Sequence, residues 1–366
     1  MKMNDIAFMR LASQQLVRTK CSTPMEIVSW MVAMQAQDFP MARWAIGNRV
    51  PGSTDMDVLM ALDEGKVIRT HLLRPTWHFV AAEDVYWLLE RTAPQIRAGQ
   101  KARERQLELT EAVYAKCNSV IENSLKDVDY LTREQLLDAV QRAGIAIDQN
   151  RSAHLLMRAE VDQVLCNGPI KSGRPTYALL RRRVPEAKRL TKEEALAKLA
   201  QRYLYSRCPA TQQDFTWWSG LPAGDVRQAM DLVKSDFLPE KIQEHTYWIP
   251  NNLSIHSQRE LDTHLLPPFD EFIVSYTWRS AAIPAELETH MKEISDRGVF
   301  RPIIVVNGQV AGIWKRTIQK DKVIIELQPF KPLSHSLQKL VITAARQYGS
   351  FLDKAININP QGITPI

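Results

Sequence analysis

At 366 residues the chain is longer than a single hydrophobic core usually serves, so about two to four modules of ordinary size are expected. Hydrophobic residues make up 45% and charged residues 24%, the balance of a folded globular protein, which excludes a largely disordered chain. The net charge of +6 suits a polyanionic partner, and apolar runs such as Ile303 to Val306 and Val323 to Leu327 are far too short to cross a bilayer.

The first residues, Met1 to Asp5, contain no basic segment followed by an apolar stretch, so no secretory signal is expected and the cytoplasm is the expected compartment. Cys21, Cys117, Cys166 and Cys208 are widely spaced with no Cys-x-x-Cys pair, which predicts reduced thiols and neither a disulfide framework nor a zinc site. Histidines such as His71, His78, His256 and His264 do not fall at metal-ligand spacing on one helix, so no metal and no cofactor are expected.

In chain order, Thr23-Pro24-Met25-Glu26 opens a helix with Pro24 in its first turn, carrying Ile27, Val28, Met31 and Val32 inward to about Gln37. A second helix follows Pro40, a third covers Asp55 to Glu64 and stops at Gly65, and Val67 to Leu72 and Thr76 to Val80 form a hairpin around Arg74-Pro75. Residues Ala82 to Leu125 read as one continuous connecting helix, whose Arg97, Lys101, Arg103 and Arg105 are interspersed with Glu104, Glu108 and Glu111, the pattern of a solvated surface.

Thr132 caps a helix with Leu136, Leu137 and Val140 on its apolar stripe, ended by Gly144, and a second helix runs from about Ser152 to Leu165. Cys166 to Leu180 then reads as a hairpin with Lys171 and Arg174 at its tip, followed by Arg181-Arg182-Arg183, either a phosphate-facing edge or a solvated linker. Thr191 and Glu194 form a capping box for a further helix, Asp214 to Trp218 and Asp225 to Val233 are two more, and Phe237 to Ile242 with His245 to Ile249 supplies strands.

Helices giving way to a two-stranded hairpin is the pattern of a winged-helix module, and it occurs about three times. From Asn251 the texture changes to short β-rich pieces, with Arg301 to Val306 and Val310 to Arg316 joined through Asn307-Gly308, and a last helix from Ser334 to Leu352 packing on that sheet. The expected fold class is α+β: three tandem winged-helix modules with a C-terminal β-rich α+β region. The expected divisions are 1–125 for the first module with its connecting helix, then 126–188, 189–250 and 251–366.

Several ordered motifs span nearly the whole chain: Met34-Gln35-Ala36-Gln37-Asp38, Thr70 to Val80 followed by Glu83-Asp84, Pro209-Ala210-Thr211 with Asp214-Phe215 and Trp217 to Leu221, Leu265 to Phe272, and Val305 to Trp314. Together they resemble the AlkZ-like, or YcaQ-like, winged-helix DNA glycosylase family. The resemblance implies a C-shaped body that embraces double-stranded DNA and hydrolyses the N-glycosidic bond of N7- or N3-alkylated purines, including some crosslinked ones. It also implies a Gln-apolar-Gln catalytic signature, matched here by Gln35, Ala36 and Gln37, where other relatives carry Asp at the second polar position.

Such chemistry is within reach of two amides, because a purine alkylated at N7 is already cationic and leaves without a general acid. The protein then has to hold a water beside C1′ and stabilise an oxocarbenium-like transition state with oriented dipoles. Gln35 and Gln37 are the expected catalytic residues, each offering an acceptor and a donor; Asp38 is an assisting carboxylate or simply a helix-end residue. Without the surrounding motifs, Gln-Ala-Gln would read as polar helix surface.

Expected DNA contacts are His71, Arg74, Thr76 and His78 on the first hairpin, Lys171 and Arg174 on the second, and Lys315 and Arg316 after Asn307-Gly308. The histidines read equally as buried and internally satisfied, and the Asn307-Gly308 turn as an ordinary sheet connection. Trp217 and Trp218 invite a base-stacking role, with core packing the favoured reading, and Asp270 either approaches the cleft with Phe269 and Glu271 or pins a loop. A non-catalytic winged-helix regulator is the competing function, a protein-binding scaffold a third, and a monomer is the expected state.

Overall fold

Local signals set most helix ends, as they should when the cap and its partner lie within one turn. In the computed structural model, which describes residues 3–171, 173–185, 189–252 and 261–360, Thr23 caps helix Pro24–Met31, and Thr132 and Thr191 form capping boxes with Gln135 and Glu194. Gly65 and Gly144 close their helices at positive φ, +73° and +79°, a conformation that costs glycine little. Of the sequence readings, His256 and Ser172 lie outside the described residues.

One order of elements recurs: helix, short strand, two helices, hairpin. It runs through Pro24–Met31, Ala33–Gln35, Phe39–Gly47, Asp55–Asp63, Val67–Leu72 and Thr76–Ala81, with the first strand paired to the last in a three-stranded sheet. It returns with the same strand order through Lys192–Arg207, Ala210–Thr211, Gln212–Ser219, Ala223–Val233, Phe237–Ile242 and His245–Pro250. Between them, helices Glu111–Ser124, Arg133–Arg142 and Gln149–Val161 precede strands Leu165–Asn167 and Tyr177–Leu179, with Leu131 bridged to Tyr177 where the short strand would be.

Two expectations fail in this part of the chain. The helix from Pro24 does not reach Gln37: Val32 turns the backbone at φ +64°, and Ala33–Gln35 joins the hairpin as a strand, gaining ladder hydrogen bonds that a further helical turn would forgo. The connecting helix is not continuous either. Val85–Gln106 ends where Glu108 adopts φ +52°, and Thr110 caps a separate helix, Glu111–Ser124, whose Tyr114, Cys117 and Ile121 pack with Leu136, Val140 and Leu155 of the middle repeat.

The first and third repeats share one core, in which Ile68, Val80 and Leu88 meet Leu199, Tyr203 and Trp218. Fully buried Asp84 fastens the same interface by accepting from Lys198 Nζ (2.9 Å) and Arg202 Nη1 (2.6 Å). Toward the C-terminus a five-stranded sheet runs, in spatial order, Ala355–Pro360, Lys322–Pro329, Gln309–Ile318, Ile303–Val306, Thr263–Leu266. Helix His335–Phe351 covers it, its Val341, Ala345 and Tyr348 packing with Trp314 and Ile325 and with Trp44 of the first repeat.

Candidate active site

Gln35 closes the short first strand Ala33–Gln35, Ala36 follows it directly, and Gln37 lies at the bend that leads to the next helix. Ala36 is buried, whereas Gln35 is half-buried and Gln37 exposed. The backbone here is fastened on every side. Ala36 N–H donates to Trp77 O (2.7 Å), Ala36 O accepts from Arg69 Nη2 (3.0 Å), and Gln35 N–H donates to Glu271 Oε1 (2.9 Å). Among the described residues neither carboxamide has a hydrogen-bond partner, so both keep their donor and acceptor free.

Glu271 stands behind the strand in a buried network. Arg207 Nη2 donates to Oε2 at 2.7 Å, Trp218 Nε1 at 3.1 Å and Ser275 Oγ also donate there, and Arg207 further donates to Met31 O and Ala33 O, both at 2.9 Å. Burial would raise the Glu271 carboxyl, but the Arg207 charge and the hydrogen bonds from Ser275 and Arg207 outweigh it and hold the pKa at about 2. The helix bearing Glu271 is fixed in turn by its cap Asp270, whose two oxygens take Arg49 Nη1 (2.9 Å) and Nη2 (2.7 Å) in a fully buried pair. Asp270 therefore pins a loop, and Glu271 reaches the strand.

Sequence reasoning missed Arg69 and Arg207. Arg69 lies on the expected hairpin and Arg207 immediately precedes Cys208-Pro209, but nothing near either residue marks the distant carbonyls they hold.

The expected contact residues separate into groups. His78, opposite Gln35 in the sheet, is buried, shares a hydrogen bond from Nδ1 with Thr76 O (2.9 Å), and faces no solvent that DNA could occupy. His71 is also buried and its Nδ1 lies 2.6 Å from Glu160 Oε2, so both histidines are internally satisfied. Thr76 closes the hairpin turn through its N–H to Arg74 O. Arg74 projects half-buried from that turn, 4.8 Å above the Trp217 ring.

A cleft of about 650 Å³ between the first and middle repeats is lined by Gln37, Arg69, Trp77, Arg133, Glu160 and Arg174, among others. Arg174 and Lys171 are exposed on the second hairpin. The adjacent arginine run forms a short helix, with Arg181 and Arg182 exposed: Arg181 pairs with Glu122, Arg182 bonds Val128 O and Lys126 O, and Arg183 bonds Asp63 O and Leu62 O.

The Asn307-Gly308 turn cannot insert into a groove, because it is packed on the N-terminal helix Met3–Ser13: a Cβ on Gly308 would lie 2.9 Å from Ala7 Cβ. Lys315 and Arg316 sit toward the opposite end of strand Gln309–Ile318, Lys315 exposed and Arg316 bonded to Tyr348 Oη (2.5 Å). Asp38 caps helix Phe39–Gly47 by accepting from Met41 N–H (3.2 Å), a helix-end role. The tryptophan pair divides: Trp218 is 1% exposed and core, but Trp217 is 45% exposed, so core packing describes only one of them.

Burial lowers the His78 pKa from 6.5 to about 4, against the pull of Glu271 and its bond to Thr76 O. A histidine whose folded pKa is depressed stabilises the fold above its unfolded pKa, and that contribution is lost as pH falls from about 6.5 toward 4. Between pH 7 and pH 5 the loss from this residue should be about 2 kcal/mol. Urea unfolding of wild type and His78→Asn at the two pH values measures it; an equal pH dependence in both proteins would refute a neutral, buried His78.

Among the described residues no group of three or more His, Cys, Asp or Glu side chains is arranged to hold a metal ion, and no helix is long and apolar enough to cross a membrane. The fold is shared with a DNA glycosylase structure. Streptomyces sahachiroi DNA glycosylase AlkZ aligns with a TM-score of 0.79 over 98% of this chain and 100% of that chain, at 17% identity, a likeness of fold alone. The model of the family described as DNA glycosylase AlkZ-like matches residues 28–351, and the chain belongs to the AlkZ-like DNA glycosylase family. No curated protein sequence matches significantly.

Proposed function

We propose that this protein excises cationic N7- or N3-alkylated purines, bulky or crosslinked adducts included, from double-stranded DNA, with Gln35 and Gln37 holding the attacking water. The observation that carries the reading is a pair of unpartnered carboxamides flanking Ala36, where the backbone of Gln35 and Ala36 is held by Glu271, Trp77 and Arg69. Water oxygen bonds to C1′ as the C1′–N9 bond breaks, and that bond's electron pair neutralises the departing base. The water proton passes to solvent, since neither amide is a base.

The recurring helix, strand, helix, helix, hairpin order supports three winged-helix modules followed by a β-rich α+β region. We take the second module to begin at Glu111 rather than after residue 125, because that helix packs with the middle repeat, and keep divisions near 188 and 250. Arg174 on the cleft wall with Lys171 bridged to it, Arg74 at the turn of the hairpin that pairs with Gln35's strand, and exposed Lys315 are the DNA contacts in this reading, which has the protein act as a cytoplasmic monomer.

Incubation with a duplex bearing one N7-methylguanine, followed by alkali, reports abasic sites as strand breaks. Wild type should cleave, and Gln35→Ala and Gln37→Ala should each fall on the order of 10²-fold, as when one oriented dipole is removed from a transition-state site. Neutral hypoxanthine should be released far more slowly. Sequence-dependent binding without breaks would instead establish a non-catalytic regulator.

A further inference from the structure

Helix Glu271–Val274, which holds Gln35 from behind, carries on its last two carbonyls a pair of side chains outside that network. Trp217 donates its indole N–H to Val274 O (3.1 Å), and Arg279 donates Nε–H to Ile273 O (3.0 Å). Arg74 reaches over from the first repeat's hairpin turn and covers one indole face, its Nη1 donating to Trp217 O at 3.4 Å. The indole is thus locked in orientation at both its nitrogen and one face, yet remains open to solvent.

The two arginines are partly buried without a carboxylate partner. Among the described residues neither Arg74 nor Arg279 makes an ion pair, since the nearby Asp214 carboxylate accepts from Thr277 and from Thr211 N–H and faces Arg10, and Glu271 is engaged by Arg207. Both guanidiniums are partly withdrawn from water, which lowers their pKa values, and Arg74's charge lowers that of Arg279 further. Neighbouring, partly desolvated cations repel one another until an anion bridges them.

We propose that Trp217, Arg74 and Arg279 form a docking site for one nucleotide of the strand that carries the lesion: the open indole face takes an unstacked base and the two guanidiniums take its phosphate. Stacking on an aromatic face tolerates any base, and a guanidinium fork matches phosphate geometry. The cation on the covered face makes this indole a poor partner for a positively charged base. The base it takes is therefore an uncharged neighbour of the lesion, and the cationic purine is left to Gln35 and Gln37. This inference rests on the glycosylase reading for the strand's course past the glutamines.

A duplex with 2-aminopurine next to a tetrahydrofuran abasic analogue tests the site by fluorescence titration with the full-length protein. Wild type should quench the 2-aminopurine on binding. Trp217→Leu at saturation should leave it brighter and bind about tenfold more weakly, and Trp217→Tyr should restore much of the quenching. Arg74→Gln and Arg279→Gln should each reduce the slope of log affinity against log salt by about one.

A Trp217→Leu complex as dim and as tight as wild type overturns the stacking role, and an unchanged salt slope removes that arginine from the site. Release of 7-methylguanine by wild type is followed in parallel. Quenching without release would refute the glycosylase reading and leave the docking site standing; release with unaltered quenching in Trp217→Leu would do the reverse.

Discussion

Replacing Glu271 by alanine is expected to destabilise the fold by about 3–5 kcal/mol and to abolish base excision even where the variant remains folded. The size follows from what is left behind. Arg207 is fully buried and would keep its charge with no carboxylate to meet it, and the Gln35 N–H and Trp218 Nε1–H would lose their acceptor. Urea unfolding at pH 7 measures the first loss. A fall below about 1 kcal/mol would mean that the pair is no more than a surface salt bridge in effect.

The double variant Arg207→Met with Glu271→Gln separates charge from positioning. Removing both charges should recover much of the stability but not excision, because Gln35's strand would no longer be held between Met31 O, Ala33 O and the Glu271 carboxylate. The pH dependence has a definite sign as well. With the folded pKa depressed from 4.5 to about 2, Glu271 contributes stability above its unfolded pKa that is lost as pH falls from about 4.5 toward 2. That window overlaps the one assigned to His78 only between about pH 4 and 4.5, so the two contributions are largely resolved by pH.

The second large effect is expected at Arg49, where alanine should also cost about 3–5 kcal/mol. Its guanidinium donates to both Asp270 oxygens, to Gln14 O (3.0 Å), to Gln14 Oε1 (2.9 Å) and to Ala45 O (2.8 Å), all buried. Arg49→Lys should recover only part of the loss, since a single ammonium cannot reproduce the planar fork toward two carboxylate oxygens. Because Asp270 caps the helix carrying Glu271, Arg49→Lys should also slow excision through displacement of Gln35 while leaving duplex affinity near wild type. Full activity with Arg49→Lys would show that the loop holds its position without the fork.

Much of the architecture was legible from neighbours in sequence. Thr132 with Gln135, Thr191 with Glu194, and the glycines at 65 and 144 announce helix ends because the atoms involved lie within one turn of one another. The same locality explains why Asn307-Gly308 was readable as a turn but not as one buried against Ala7, some 300 residues earlier in the chain. Burial is a property of the partner surface, which no turn motif records.

The candidate site shows the division most clearly. Sequence alone determined that Gln35 and Gln37 flank an apolar residue within a set of ordered motifs, and hence the resemblance to the family. Only the tertiary structure decided that Gln35 ends a strand rather than a helix, that Arg207 and Glu271, 64 residues apart, brace it, and that Trp217 faces solvent while Trp218 is core. The physical reason is that hydrogen bonds to distant carbonyls and the desolvation of charged pairs depend on which surfaces meet after folding, whereas caps and turns depend on atoms a few bonds away.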